Sequence, residues 1–508
     1  MKSRLLRFVV VAWALCAAAL CTRADGPAPV TPDATPEARS LLAFLQSISG
    51  RYTLTGQHNY PNIDGRNSRF AARYIGRTPV IFGIDMGFAK AGDTDSYLAR
   101  PDIVKEAIAA WHRGEIVALC WHAVPPTADE PVTFRPLPDA DPNRLASVQG
   151  RLLDTQFRDV LTPGTALHRK WCAQVDVIAG YLRQLQDAHV PVLWRPYHEM
   201  NGDWFWWGGR TGKYGSAALY RQLFDRFVNV DHLRNLIWVW SMDRIHNPSQ
   251  DYAAYYPGNH YVDVLALDVY GNDFAQSYYD RLRSFSHGKP LALAEVGNPP
   301  APEVLKRQPL WTYYMTWAGM VHYTSHRDYA RIMADPRILN LDDPRYAELT
   351  TPYRKACGLP PVSVARPPAD FSGTWILDQD HSDFGAHGIA FAPAKLRVVE
   401  SDGTLRVFTT QIREYAADLV TEDVLKLDGT PSHSTFMNAP RVTTARSDAS
   451  GQAMEFRSTV HLPWGPPGST TTIDDTWTLR EGGQVLCIKR SMTSPSGNQE
   501  MTLLFDRR

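Results

Sequence analysis

Six cysteines in 508 residues is little thiol for a chain of this length, and no two of them stand in C-x-x-C spacing. That argues against a zinc site or a dithiol redox motif. Cys16 and Cys21 fall in an N-terminal apolar run, which leaves Cys120, Cys172, Cys357 and Cys487 scattered and unpaired by anything in the sequence. A chain of this size needs no disulfide to hold a core, and Cys120, beside the apolar run Ile116–Leu119, reads as a buried thiol. An excess of either charge is also missing: Lys plus Arg and Asp plus Glu number 53 each. No global field therefore favours nucleic acid or an anionic membrane. Long hydrophobic runs are limited to Phe8–Leu20, shorter than the roughly 20 residues of a membrane span. Lys2, Arg4 and Arg7 precede that run and Thr22-Arg23-Ala24 follows it, the layout of a secretory signal over residues 1–24 with cleavage after Ala24. Leu20 is too bulky for a lipoprotein signal at Cys21. The mature chain is expected to be exported, periplasmic or extracellular, with no membrane span.

What is present is a folded-protein composition, 44% hydrophobic and 21% charged, with 15 tryptophans and 22 tyrosines. The length predicts two domains. Composition changes at Gly358, where GLPPVSVARPPAD predicts an extended linker over 358–368. A second Pro/Ala-rich tether covers 25–39, with Asp25–Pro36 expected to be disordered. The first domain is thus 40–357 and the second 369–508.

In the first domain strand and helix alternate. Candidate strands are Tyr52–Gly56, Pro79–Asp85, Ile116–His122, Val190–Glu199, Asn235–Ser241, Val262–Tyr270, Pro290–Val296 and Trp311–Ala318. Eight largely apolar strands predict an α/β fold, a closed (β/α)8 TIM barrel. Between them, Trp171, Val175, Ile178, Leu182 and Leu185 repeat at helical steps, and Pro101–Arg113 has Pro and Asp at its start and Gly114 after its end.

In such a barrel, chemistry sits where the strands end. The fourth strand runs into WRPYHEMNGDWFWWGG, Trp194–Gly209. Glu199 is able to give a proton to a glycosidic oxygen, and Trp204, Trp206 and Trp207 offer apolar faces for pyranose rings, with Arg195, His198, Asn201 and Asp203 as hydrogen-bonding groups. Taken alone, the segment reads equally as a strand end whose aromatics fill the core. Glu295 ends a second apolar run, LALAEV, and a carboxylate there is costly unless it faces a cavity. The other strand ends add Gln57, His58, Asp85, Trp121, His122, Asp243, Asp268, Tyr270 and Trp317.

The segments RPYHEMNGDWFWWGG, AEVG, DVY at 268–270 and GQH at 56–58 resemble glycoside hydrolase family 26, chiefly its endo-β-1,4-mannanases, over about Ser40–Gly358. The resemblance implies retention of anomeric configuration, with Glu199 as acid/base and Glu295 as nucleophile. It also implies that His198 lies in the substrate site, that Tyr270 hydrogen-bonds the nucleophile and that Trp317 floors the sugar being cleaved. His122 would contact that sugar and Trp204 would stand on the leaving-group side. Arg195, Asn201, Trp207 and Asp268 are assigned more loosely to shaping the site, and Gln57, His58 and Asp85 to buttressing it. Members acting on mixed-linkage β-glucan or β-1,3-xylan keep the substrate open, and a non-catalytic polysaccharide-binding protein is the reading from another class. No metal and no cofactor is called for. The expected partner is β-mannan, and the expected state a monomer.

Residues 369–508 read as all-β, with strands at Lys395–Val399, Thr404–Thr409, Ala453–Val460, Thr471–Leu479, Val485–Ser491 and Gln499–Phe505 and turn signals at Asp402-Gly403, Asp428-Gly429 and Gly482-Gly483. The opening Phe371-Ser-Gly-Thr-Trp375 resembles the start of lipocalin-like barrels. The ligand classes open to such a domain are an apolar molecule or a carbohydrate, with Trp464 as an exposed platform or a buried loop aromatic.

Overall fold

Eight parallel strands close into a barrel: β1 Gly56–His58, β2 Ile81–Asp85, β3 Ile116–Trp121, β4 Val192–Pro196, β5 Leu236–Asp243, β6 Val264–Val269, β7 Leu291–Val296 and β8 Trp311–Thr316. Closure is shown by β1, which pairs with β2 on one side and with β8 on the other, Gln57 opposite Thr316. The computed structural model describes residues 28–508 except 63–64, 89–96, 142, 365–367, 386–387, 390–391, 414–416, 437–438, 463–468, 481–482 and 496. The proposed signal segment, Trp464 and Gly482 lie outside the described residues. Every barrel-strand residue is buried, as helices packed around a parallel sheet require. The helix Ala166–Asp187 buries Trp171, Val175, Ile178, Leu182 and Leu185, the predicted stripe. The helix Arg100–Arg113 stops at Gly114, whose φ of 113° suits glycine.

Two expectations for this domain are corrected. The first barrel strand is not Tyr52–Gly56 but Gly56–His58; Thr53–Leu54 instead pairs with Ile338–Leu339 and touches β8. Gly56 permits this shift, since a Cβ there would collide with the Tyr314 carbonyl. The N-terminal tether is also ordered over its described residues, 28–39. Val30 N donates to Asp263 Oδ1 (2.7 Å), Trp238 Nε1 donates to Thr31 Oγ1 (3.2 Å), and a helix begins at Pro36 with Thr35 as its cap. These contacts lie at the amino ends of β5 and β6, where the tether caps the barrel floor. The linker is partly docked as well, because Val362 is buried and Pro360 O accepts from Arg354 Nε (2.7 Å).

The second domain is a ten-stranded antiparallel, barrel-like sheet: β9 Gly373–Asp383, β10 Lys395–Ser401, β11 Thr404–Gln411, β12 Leu419–Lys426, β13 Ser432–Phe436, β14 Ala439–Ser447, β15 Ala453–His461, β16 Thr470–Arg480, β17 Val485–Ser494 and β18 Gly497–Arg507. The order is β12-β11-β10-β9-β18-β17-β16-β15-β14-β13. Trp375 and Phe371 sit in its core, with the Arg507 guanidinium 4.5 Å from the Trp375 ring. Arg507 also contacts His326 of the first domain (2.7 Å). Cys120, Cys172, Cys357 and Cys487 are free thiols. Among the described residues no helix is long and apolar enough to cross a membrane.

Candidate active site

After β4 the chain makes a tight turn in which Tyr197 and Glu199 take φ of 48° and 52°. Side chains with a Cβ rarely adopt that region, and each such residue costs about 1–3 kcal/mol unless its surroundings impose it. Here they do. Glu199 N donates to Ser241 O (2.9 Å), Trp207 Nε1 to His198 O (2.8 Å) and Trp171 Nε1 to Tyr197 Oη (2.9 Å). Asn201 ties the same turn to β5, donating to Asp243 O (2.8 Å) and accepting from Asp243 N (2.9 Å). Gly202 is required for closeness, since a Cβ there would collide with the Trp204 ring. The result is a Glu199 carboxyl held at the mouth, 8% exposed.

Facing it, β6 and β7 place Asp268 opposite Glu295 in register. The Arg195 guanidinium lies between them, donating to Glu295 Oε1 and, at 3.0 Å, to Asp268 Oδ2. Tyr270 donates its phenol proton to Glu295 Oε2 (2.6 Å), and Ser241 donates to Asp268 Oδ1 (2.6 Å). Glu199, Asp268 and Glu295 bring carboxylate oxygens within 4.8 Å of one another. Among these partners the one cation is Arg195. Burial first, and then the nearby Asp268, Glu295 and Asp243, push the Glu199 carboxyl well above the ordinary range; Trp204 opposes this by donating Nε1–H to Glu199 Oε2 (2.8 Å). Burial likewise raises Asp268 well above its usual value, against the pull of Arg195. A site that gathers three carboxyls around one guanidinium holds a proton where water would have taken it.

The wall beside this cluster is aromatic. Trp317, half-buried, stacks on His58 at 4.1 Å and on Tyr60 at 5.8 Å, and Gln57 Nε2 donates to Ala318 O (2.6 Å) to brace that turn. Burial lowers His58 to about 3, so its ring is neutral. His122 Nδ1 meets Asp85 Oδ2 at 2.6 Å and sets its ring edge-on to His198 at 4.6 Å. Burial alone would raise Asp85, but His122 beside it prevails and brings it down to about 2. Burial pushes His198 well below its usual value, and its Nδ1 is buried with no partner in the protein. Among the described residues two groups gather donor atoms of the metal-ligating kind, Asp85–Cys120–His122 and Glu199–Asp268–Glu295. In each, most donors are already spent on hydrogen bonds to neighbouring side chains.

The sequence model of the family described as glycosyl hydrolase family 26 matches residues 30–343. The chain belongs to glycosyl hydrolase family 26. It is 34% identical over 294 residues to a mannan endo-1,4-beta-mannosidase of Thermothelomyces thermophilus, an alignment covering 56% of each chain, and 28% identical over 307 residues to mannan endo-1,4-beta-mannosidase A of Piromyces sp., covering 57% of this chain and 45% of that one. The chain thus spans about half the length of these curated relatives. The solved structure of GH26A from Muricauda sp. matches 61% of this chain and 98% of its own, at 39% identity and a TM-score of 0.56.

Within this family 26 barrel, Glu199, Glu295, His122, His198, Tyr270, Trp317 and Trp204 converge on one cleft, with Trp204 half-buried at its edge. Five other expected residues sit behind it. Trp207 is corrected: it is 0% exposed, stacked on Phe205 at 4.4 Å, and supports the turn without offering a face to a ligand. Trp206 is equally buried, donating to Ala123 O (2.7 Å). Arg195, Asp268 and Asn201 are buried and bound to protein partners, so they brace the carboxyl cluster and the turn beside it. Sequence reasoning missed Ser241, Tyr60, Phe205 and Phe134. Phe134 is 38% exposed and lies 5.9 Å from His122, on the long loop after β3. Tyr60 stands two residues past the GQH strand end, where polar and aromatic residues point to a site, whereas Phe134 carries no periodic signal.

Proposed function

We propose that this family 26 chain is an exported, retaining endo-β-1,4-mannanase that cleaves mannan, glucomannan or galactomannan by double displacement, acting as a monomer. The observation that carries the reading is the spacing of Glu199 and Glu295, together with the upward push on the Glu199 carboxyl. Their nearest oxygens lie within 4.8 Å, close to the roughly 5–5.5 Å of retaining glycosidases and short of the ~6.5–9.5 Å that inverting enzymes need to admit water. Glu295, gripped by Arg195 and Tyr270, attacks the anomeric carbon as a carboxylate. Glu199, raised by burial and by its carboxylate neighbours, gives its proton to the departing glycosidic oxygen. Formation of the ester removes the charge on Glu295, which lowers the pull on the Glu199 proton. Glu199 then takes a proton from water, the water oxygen displaces Glu295, and both carboxyls return to their starting states. Trp317 floors the sugar, His122 and His198 line its edge, and Trp204 stands on the leaving-group side. Mannan as substrate is supported by the names of the curated relatives, and export by the apolar segment Phe8–Leu20 behind three basic residues.

The test is product release from galactomannan, glucomannan, mixed-linkage β-glucan and β-1,3-xylan, with the first product's anomer followed by NMR. Mannan-type substrates should be cut internally and the β-anomer should appear first. First release of the α-anomer overturns the mechanism, and preference for β-glucan or β-xylan overturns the substrate.

A further inference from the structure

The second domain encloses a cavity of about 120 Å3. Its wall is built from alternate residues of successive strands, among them Asp423 on β12, Arg441 on β14, Phe456 on β15, Trp477 on β16 and Arg490 on β17. Alternate residues share a face of a strand, so these side chains are the inward set of the sheet. The cavity lies beside β12 and β13, the two ends of the strand order. Thr421 and Thr435, which line it there, are exposed, and this seam is its mouth.

Size, charge and hydrogen bonding narrow what fits. A cavity of about 150 Å3 takes one benzene, so this one excludes a long acyl chain, and a substituted six-membered ring fits only with its substituents in the open seam. Charge inside is balanced: Arg441 grips both oxygens of Asp423, and Arg490 meets Asp475 through Nε (2.8 Å) and a terminal nitrogen (2.7 Å). With each guanidinium neutralised by its own carboxylate, an ionised ligand gains no counter-charge, whereas hydroxyls find donors and acceptors side by side. Phe456 and Trp477 supply an aromatic corner, their centroids 4.7 Å apart. Trp477 is 5% exposed and its indole N–H is buried with no acceptor. A buried donor without a partner is uncommon and costs free energy until something accepts from it.

We propose that this lumen is a binding site for one uncharged sugar ring, packed against Trp477 and Phe456, hydrogen-bonded to the two Arg–Asp pairs, and accepting the Trp477 indole proton. The site is separate from the cleft of the first domain and stands whether or not that cleft hydrolyses mannan.

The full chain is titrated calorimetrically with D-mannose, D-glucose, p-xylene and dodecanoate, alongside Trp477→Phe, which keeps the ring and removes the donor. A hexose should bind the parent, and Trp477→Phe should weaken it about fivefold, the effect of one hydrogen bond. Trp317→Ala, which alters the first domain's cleft, should leave this binding unchanged. The exchange Asp475→Leu with Arg490→Met should abolish hexose binding while the thermal midpoint is held. No hexose binding, unchanged affinity in Trp477→Phe, loss in Trp317→Ala alone, or binding confined to p-xylene or dodecanoate would each overturn the proposal.

Discussion

The mouth of the first barrel and the lumen of the second bury the same chemical pair, guanidinium against carboxylate, in different proportions. At the mouth one guanidinium, Arg195, serves Asp268 and Glu295 while Glu199 crowds the same space. In the lumen Arg441 answers Asp423 and Arg490 answers Asp475, one to one. An excess of carboxyls leaves at least one of them better off protonated, and burial directs that proton to Glu199 and Asp268. Balanced pairs carry no surplus carboxyl and offer only hydrogen bonds. Imbalance therefore suits a site that moves a proton, and balance suits one that only binds. The mouth also carries backbone strain at Tyr197 and Glu199, whereas the inward residues named for the lumen sit on ordinary strands.

The largest effect belongs to Glu199→Gln. Polysaccharide cleavage should fall by about 10²–10⁴-fold, the usual contribution of a general acid. Formation of the glycosyl-enzyme from an aryl β-mannoside whose leaving group needs no proton should change far less. Equal losses on both substrates would remove Glu199 from the acid role. Next in size is the contrast between breaking and exchanging a buried pair. Arg195→Met strands two buried carboxylates and should lower the unfolding free energy in urea by about 3–5 kcal/mol. Asp475→Leu with Arg490→Met removes both partners together and should stay within about 1 kcal/mol of the parent or exceed it. Similar costs for the two would break the distinction between mouth and lumen. The smallest effect belongs to Trp204→Phe. The indole donation to Glu199 works to lower that carboxyl. Glu199 has to be protonated for the first step, so activity is lost as pH rises through its pKa. Without the donor the proton is held to higher pH, and the alkaline limb of kcat/KM should move upward; a downward move contradicts the assignment.

The barrel was legible because its strands are apolar runs followed by charge, Glu295 near the end of β7 and Glu199 in the turn just past β4, and a buried strand tolerates a carboxylate only at its open end. The roles of the tryptophans were not all legible. Trp204, Trp206 and Trp207 are alike in type, and in a loop without periodicity nothing local tells which one faces the cleft. Arg195 could not be read as a counter-ion because its partners lie 73 and 100 positions away. The second domain failed in an instructive way. Of its ten strands, β9, β12, β13 and β14 went unrecognised. In β12 and β14 the inward positions include Asp423, Arg441 and Thr443, which inverts the apolar-in, polar-out alternation on which a half-buried strand is recognised. The tether misled for a related reason: its proline and alanine composition reads as disorder, but Val30 is held by Asp263 and Thr31 by Trp238 and Leu236, contacts that no local pattern announces.

Glu295→Ala with azide asks whether Glu295 is the nucleophile of a retaining site. On an activated aryl β-mannoside the variant should lose turnover, and azide entering the vacated space should restore it with an α-mannosyl azide, of inverted configuration, as product. Ordinary activity in Glu295→Ala, or a rescued product of retained configuration, would contradict the claim.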